Sequence, residues 1–237
     1  MRTDLWQIVA SACLALAVGF HILAMAKVRG RWKVFSPGAQ VAAILALAVA
    51  LALAAMAHGG WSPFDPRQIP LSLALASLGV YAALCWHLRA NAAFIALDLV
   101  ALGLILVDLA IPLGGVALLC ARQSNLSLLF WVLFLLGLGG MTVAGSTSLS
   151  SILRYAWARR RGLALEPHPT DSDLLLAQAT SVALVFLGSG LVLSAWTAWR
   201  TIGELISCDP RETWMALAWL VAVVGAAFAA QAVFTVV

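Results

Sequence analysis

Charge is the scarcest property of this sequence. Only 10% of its 237 residues are Asp, Glu, Lys or Arg, while 63% are hydrophobic; a soluble domain carries roughly a quarter charged residues. A water-soluble fold of this length needs a polar surface over its core, and there are too few charges here to build one. Histidine is as scarce as cysteine, with four of each, and no CxxC or Cys/His pair has zinc-binding spacing, which excludes a structural zinc site of the finger type. No nucleophile elbow, phosphate-binding loop, HExxH helix or paired-carboxylate arrangement stands in a suitable setting. The sequence therefore does not advertise hydrolysis or phosphoryl transfer, and a role without turnover chemistry is favoured. No repeat of fixed period and no low-complexity linker divides residues 1–237, which read as one domain.

What is abundant is apolar sequence in long runs. Runs at about 5–26, 39–57, 71–88, 92–111, 126–148, 174–199 and 213–237 are each near the length that crosses a hydrocarbon layer. The expected fold is all-α: a polytopic transmembrane helical bundle of about seven spans. The first run ends in Ala24-Met25-Ala26, an A-x-A pattern of the kind that closes a signal peptide. It is as long as a spanning helix, carries Asp4 beside Arg2 ahead of it and is followed at once by basic residues, so it reads as a retained anchor.

The basic residues collect in two segments, KVRGRWK from Lys27 to Lys33 and RYAWARRR from Arg154 to Arg161. Both lie directly against apolar runs, a placement that reports membrane topology rather than a nucleic-acid-binding face. Assigning both to the cytoplasm puts the N-terminus outside, the C-terminus inside and the segment from Trp199 to Glu212 on the outer face of a plasma (inner) membrane, as in a bacterium. His58 to Pro70 reads as a surface loop, and the few residues around Arg89 and Asn91 as the turn of an antiparallel hairpin. The longer connection from Pro112 to Asn125 holds an apolar stretch suited to the interface.

Several residues inside or beside the runs invite a role. Cys13 and Cys85 lie within spans, where cysteine behaves as a small hydrophobe; Cys120 and Cys208 fall in loops on the same side, so a disulfide between them is open. An acidic residue inside a span is costly and marks a partner, a cavity or an ion path, which singles out Asp98 and Asp108. Ten steps of 100° set them roughly 80° apart and about 15 Å apart along one helix, too far for one site. Asp98, the deeper of the two, is expected to be protonated or bonded to a polar neighbour such as Thr180, Ser181 or Ser189, or else to serve a proton or ion pathway. His21 lies within the first span and reads either as a ligand or as an interfacial histidine; His87, beside Trp86 and Arg89, reads as an interface anchor, and His58 and His168 fall in loops. Gly137, Gly139, Gly140, Gly188 and Gly190 are small surfaces for close helix packing.

The most distinctive stretch is AWTAWRTIGELISCDPRETWMALAWLVA, from Ala195 to Ala222. Its DPRETW core is a good helix start in its own right, with Asp209 as N-cap, Pro210 at the first helical position and Glu212 at the third. It also resembles the cytochrome c assembly protein family, membrane haem-handling proteins whose tryptophan-rich outer segment runs WGxxWxWDPKETW into a helix. Gly203, Asp209, Pro210, Glu212, Thr213, Trp214 and Trp219 match in spacing, with Arg211 in place of lysine. NLSLLFWVLFLL, SSILRYAWARRRG and LGSGLVLSAWTAW extend the likeness, which covers roughly 125–224.

The resemblance implies a divergent, shortened protein that handles or delivers haem during cytochrome c maturation at the outer face. Its cofactor-binding residues would be Trp196, Trp199, Gly203, Asp209, Arg211, Glu212 and Trp214. Its partners would be membrane lipid, other membrane proteins of a cytochrome assembly or respiratory complex, and an apocytochrome c. Three motif tryptophans are replaced by Ile202, Ile206 and Cys208, and the family's axial histidines by Asn125 and Ala227. Cys208, at a helix N-terminus beside Arg211, and His21 are the remaining metal-ligand candidates. The alternative from another class is a haem-free structural or assembly subunit of a larger membrane complex.

Overall fold

The computed structural model describes residues 2–25, 32–57, 68–85, 93–110, 125–161, 171–203 and 210–234. Seven helices occupy them: α1 (Arg2–Met25), α2 (Trp32–Ala57), α3 (Gln68–Cys85), α4 (Ala93–Ala110), α5 (Asn125–Arg160), α6 (Asp171–Ile202) and α7 (Pro210–Phe234). The all-helical expectation holds among the described residues. Alanine and leucine lose little on entering a helix, and a helix satisfies every backbone donor and acceptor within one segment, as hydrocarbon requires.

Three helices are long and apolar enough to cross a membrane: Gly38–Met56 in α2, Leu128–Arg160 in α5 and Ser172–Arg200 in α6. The apolar stretches of the other four, Leu5–Phe20, Gln68–Leu84, Ile95–Leu106 and Thr213–Ala227, are shorter. Their outward faces carry Leu5, Ile8, Leu99, Leu217 and Val221, side chains suited to contact with lipid.

Helix ends differ from the apolar runs where helices continue past hydrocarbon-like sequence. α5 runs on to Arg160, taking in much of the basic RYAWARRR segment, because arginine and alanine are strong helix formers and cations are favourable at a helix C-terminus. α2 begins at Trp32, inside the other basic segment. α3 begins at Gln68, so the helix takes in the last three residues of the expected loop, including Pro70, which lies in the first turn where its missing N–H leaves no bond unmade.

Packing falls into two clusters. Leu14 of α1, Leu47 of α2, Leu71 and Leu78 of α3, Leu97 and Ile105 of α4 and Val143 of α5 form the larger one, joined by Leu175 and Ala179 of α6. Ala183 and Leu187 of α6 with Met215 and Ala222 of α7 form the smaller, against Phe130 and Phe134 of α5. α5 thus joins an N-terminal group of helices to α6 and α7.

Glycines set the distances along α5. A Cβ at Gly140 would stand 3.0 Å from the Ala179 carbonyl oxygen and 3.0 Å from the Ala183 nitrogen, and one at Gly139 would stand 3.0 Å from the Ala76 carbonyl carbon of α3. Gly137 faces Leu187 in the same way. Pairing of 137 with 187 and of 140 with 183 makes α5 and α6 antiparallel. A Cβ at Gly188 would stand 3.2 Å from the Trp219 indole nitrogen, and one at Gly190 would meet the Met215 side chain, so α7 returns antiparallel along α6. Packing, the expected role of these glycines, is what they do.

Candidate functional site

The antiparallel run of α5, α6 and α7 brings the C-terminal end of α6 beside the N-terminal end of α7, opposite the Arg159–Arg161 end of α5. Trp196 and Trp199 stand there on α6, 40% and 60% exposed, and Trp214 stands on α7, 68% exposed. Three large aromatic surfaces at one end of the bundle are the principal chemical feature of this region. α6 stops at Gly203, whose φ of 76° suits glycine and whose N–H donates to the Trp199 carbonyl at 3.1 Å, a left-handed C-cap. Gly203 accordingly acts as the helix terminator, with open space where a side chain would be.

α7 begins at Pro210, which makes Arg211 and Glu212 the second and third helical positions, the register expected of a DPRETW helix start. Asp209 and Cys208 lie outside the described residues, as do Cys120, His58, His87 and His168. The backbones of His21, Asp108, Arg211 and Glu212 are placed on their helices. Trp219 does not join the exposed tryptophans; it packs on Gly188. Ile202, standing where the family has a tryptophan, is the last residue of α6.

The residues at this end can be tested against a haem. The exposed indoles offer flat apolar faces suited to a macrocycle. Among the described residues no axial ligand is accessible there: axial ligation uses His, Met, Cys or Tyr, and Met215, the residue of those types beside the tryptophans, is 0% exposed and packed on Gly190. Ala227, at a position where the family has histidine, faces outward on α7. Among the described residues no group of three His, Cys, Asp or Glu side chains is assembled. The described residues thus offer flat aromatic faces and no accessible axial ligand.

Two features escaped sequence reasoning. Arg200 lies one helical turn beyond Trp196, with its guanidinium 4.6 Å from the indole centroid, a cation–π pair; Trp157 and Arg161 repeat it at 4.1 Å at the other end of α5. The Trp-x-x-x-Arg spacing was the available signal, since residues four apart share a helix face. Beside Trp196, Leu129 and Leu133 of α5 and Ser189, Val192 and Leu193 of α6 enclose a groove of about 480 Å³.

The other feature concerns Asp98, which is fully buried. Its Oδ1 accepts a hydrogen bond of 2.9 Å from Gln40 Nε2 on α2, while its Oδ2 has no partner among the described residues. The expected partners on α6 are engaged at home: Thr180 donates to the Leu176 carbonyl and Ser181 to the Ala177 carbonyl, and Ser189 lines the groove. Hydroxyls one turn from a backbone carbonyl satisfy themselves locally, whereas a glutamine amide has the reach to cross between helices. The Asp98–Gln40 pair lies among α1 to α4, away from the tryptophans.

No known protein family, curated protein or solved structure matches the chain.

Proposed function

We propose that this protein handles haem in cytochrome c maturation at the outer face of a membrane, with about seven spans and the tryptophan end of α6 and α7 turned outward. The observation that carries the reading is the exposure of Trp196, Trp199 and Trp214 at the end of the bundle where the DPRETW helix starts. Stacking on indole holds a flat macrocycle without bonding its iron, so the protein's own contribution is to present the ring to an apocytochrome. Arg211 and Glu212, on the first turn of α7, would orient it through polar contacts. Thioether formation then belongs to a partner.

A second reading is favoured by Asn125 and Ala227 at the positions of the family's histidines: a haem-free assembly subunit that keeps the fold of a haem handler. One experiment separates the two. The full chain, purified in detergent from haem-replete membranes, is examined by visible absorption and a pyridine haemochrome assay. Near-stoichiometric haem that is lost in Trp214→Ala supports haem handling. A colourless, monodisperse protein that copurifies with protein partners supports the assembly subunit.

A further inference from the structure

The groove that ends at Trp196 shares that indole with the haem reading, but its other lining residues are not used there, and its chemistry is graded along its length. Its floor and walls are the side chains of Leu129, Leu133, Val192 and Leu193, with the Ser189 hydroxyl at one end and the Trp196 indole at the other. From Ser189 to Trp196 the α6 axis advances roughly 10 Å, and Arg200 stands a further 6 Å or so beyond, about one turn. Arg200 is exposed and stacks on Trp196 through the face of its guanidinium, a contact that does not consume the in-plane N–H donors with which arginine binds an oxyanion. Val192, at 71% exposed, opens the groove to the surroundings of the bundle.

An open apolar groove bounded by an indole and followed at one turn's distance by an exposed cation matches a molecule with an apolar tail and an anionic head. Within a bilayer that molecule is a lipid. We propose that the α5–α6 groove binds an anionic glycerophospholipid, one acyl chain lying along Leu129, Leu133, Val192 and Leu193 and the phosphate bonded to Arg200. The tryptophan holds the guanidinium over the head through the cation–π contact, and the long arginine stem lets the charge sit at headgroup level. Complementary charge decides for an anionic lipid over a zwitterionic one, whose added ammonium would be repelled by the guanidinium.

The test compares phosphatidylglycerol with phosphatidylcholine of identical acyl chains, titrated into the detergent-solubilised full chain and read by native mass spectrometry. One basic residue at headgroup level makes binding of the anionic lipid roughly fivefold tighter. Arg200→Gln removes that preference while the chain still binds, Arg200→Lys keeps most of it, and Val192→Trp, which fills the groove from its exposed side, loses both lipids. Equal binding of the two lipids by the wild type overturns the proposal. So does a preference that survives unchanged in Arg200→Gln, or binding that survives unchanged in Val192→Trp. Circular dichroism and gel filtration confirm that each variant folds, and because no haem is measured the result stands apart from the haem assay.

Discussion

At the scale of single residues, the buried acid shows how a polar group survives in an apolar bundle. Asp98 was conspicuous in the sequence because a carboxyl inside an apolar run demands an explanation, but its partner was not. Polar side chains occur on several runs at compatible depths, and only the packing of helices distant in sequence chooses Gln40 over Thr180 or Ser181. If the pair is structural, Asp98→Asn keeps an oxygen to accept from Gln40 and alters stability by less than about 1 kcal/mol, whereas Gln40→Leu strips the carboxyl of its bond and costs about 1–3 kcal/mol. Thermal unfolding in detergent measures both. An Asp98→Asn protein that folds normally yet loses all function would instead assign the acid to proton or ion movement, and the structural account would fall.

At the scale of the element, glycine positions on α5 separate packing from propensity. Replacing a mid-helix glycine by alanine improves helix propensity by about 1 kcal/mol wherever the methyl has room. Gly145 has that room, with nothing within 4 Å of a built Cβ, while Gly140 faces backbone atoms of Ala179 and Ala183 that cannot rotate away. Gly145→Ala is therefore expected to raise the unfolding temperature. Gly140→Ala is expected to lower it, with overpacking worth about 1–3 kcal/mol. Equal shifts in the two variants would show that α5 and α6 are not in close contact at Gly140. The sequence made helix existence legible, since each long apolar run became a helix. It gave no stop for α5, because RYAWARRR is polar in a hydropathy profile and still a favourable helix. At the site, the Pro210 start was legible from its capping pattern, while the resemblance singled out Trp196, Trp199 and Trp214 without saying which of them would turn outward. The half-buried packing of Trp219 against Gly188 was not legible, because which face of α7 meets α6 depends on a glycine thirty-one positions earlier.

At the scale of the whole molecule, the question is which end of the bundle faces which compartment. The antiparallel contacts of α5 with α6 and of α6 with α7 place Gly203 and Arg161 at opposite ends, about 60 Å apart along the helix axes in the register that sets 137 against 187, enough to span the hydrocarbon and both headgroup layers. Sidedness is then a prediction from charge: Arg159, Arg160 and Arg161 close one end, and basic residues flanking a span are expected on the cytoplasmic side. Single cysteines introduced at Gly203 and at Arg161, in a background without native cysteines, should divide cleanly in intact cells. The one at position 203 is labelled by a membrane-impermeant maleimide from outside, and the one at position 161 only after the membrane is opened. The opposite pattern would put the exposed tryptophans in the cytoplasm, where an apocytochrome awaiting haem on the outer face could not reach them. Labelling at both positions from outside would mean that α6 does not cross the membrane, and the topology would have to be rebuilt from α2 and α5.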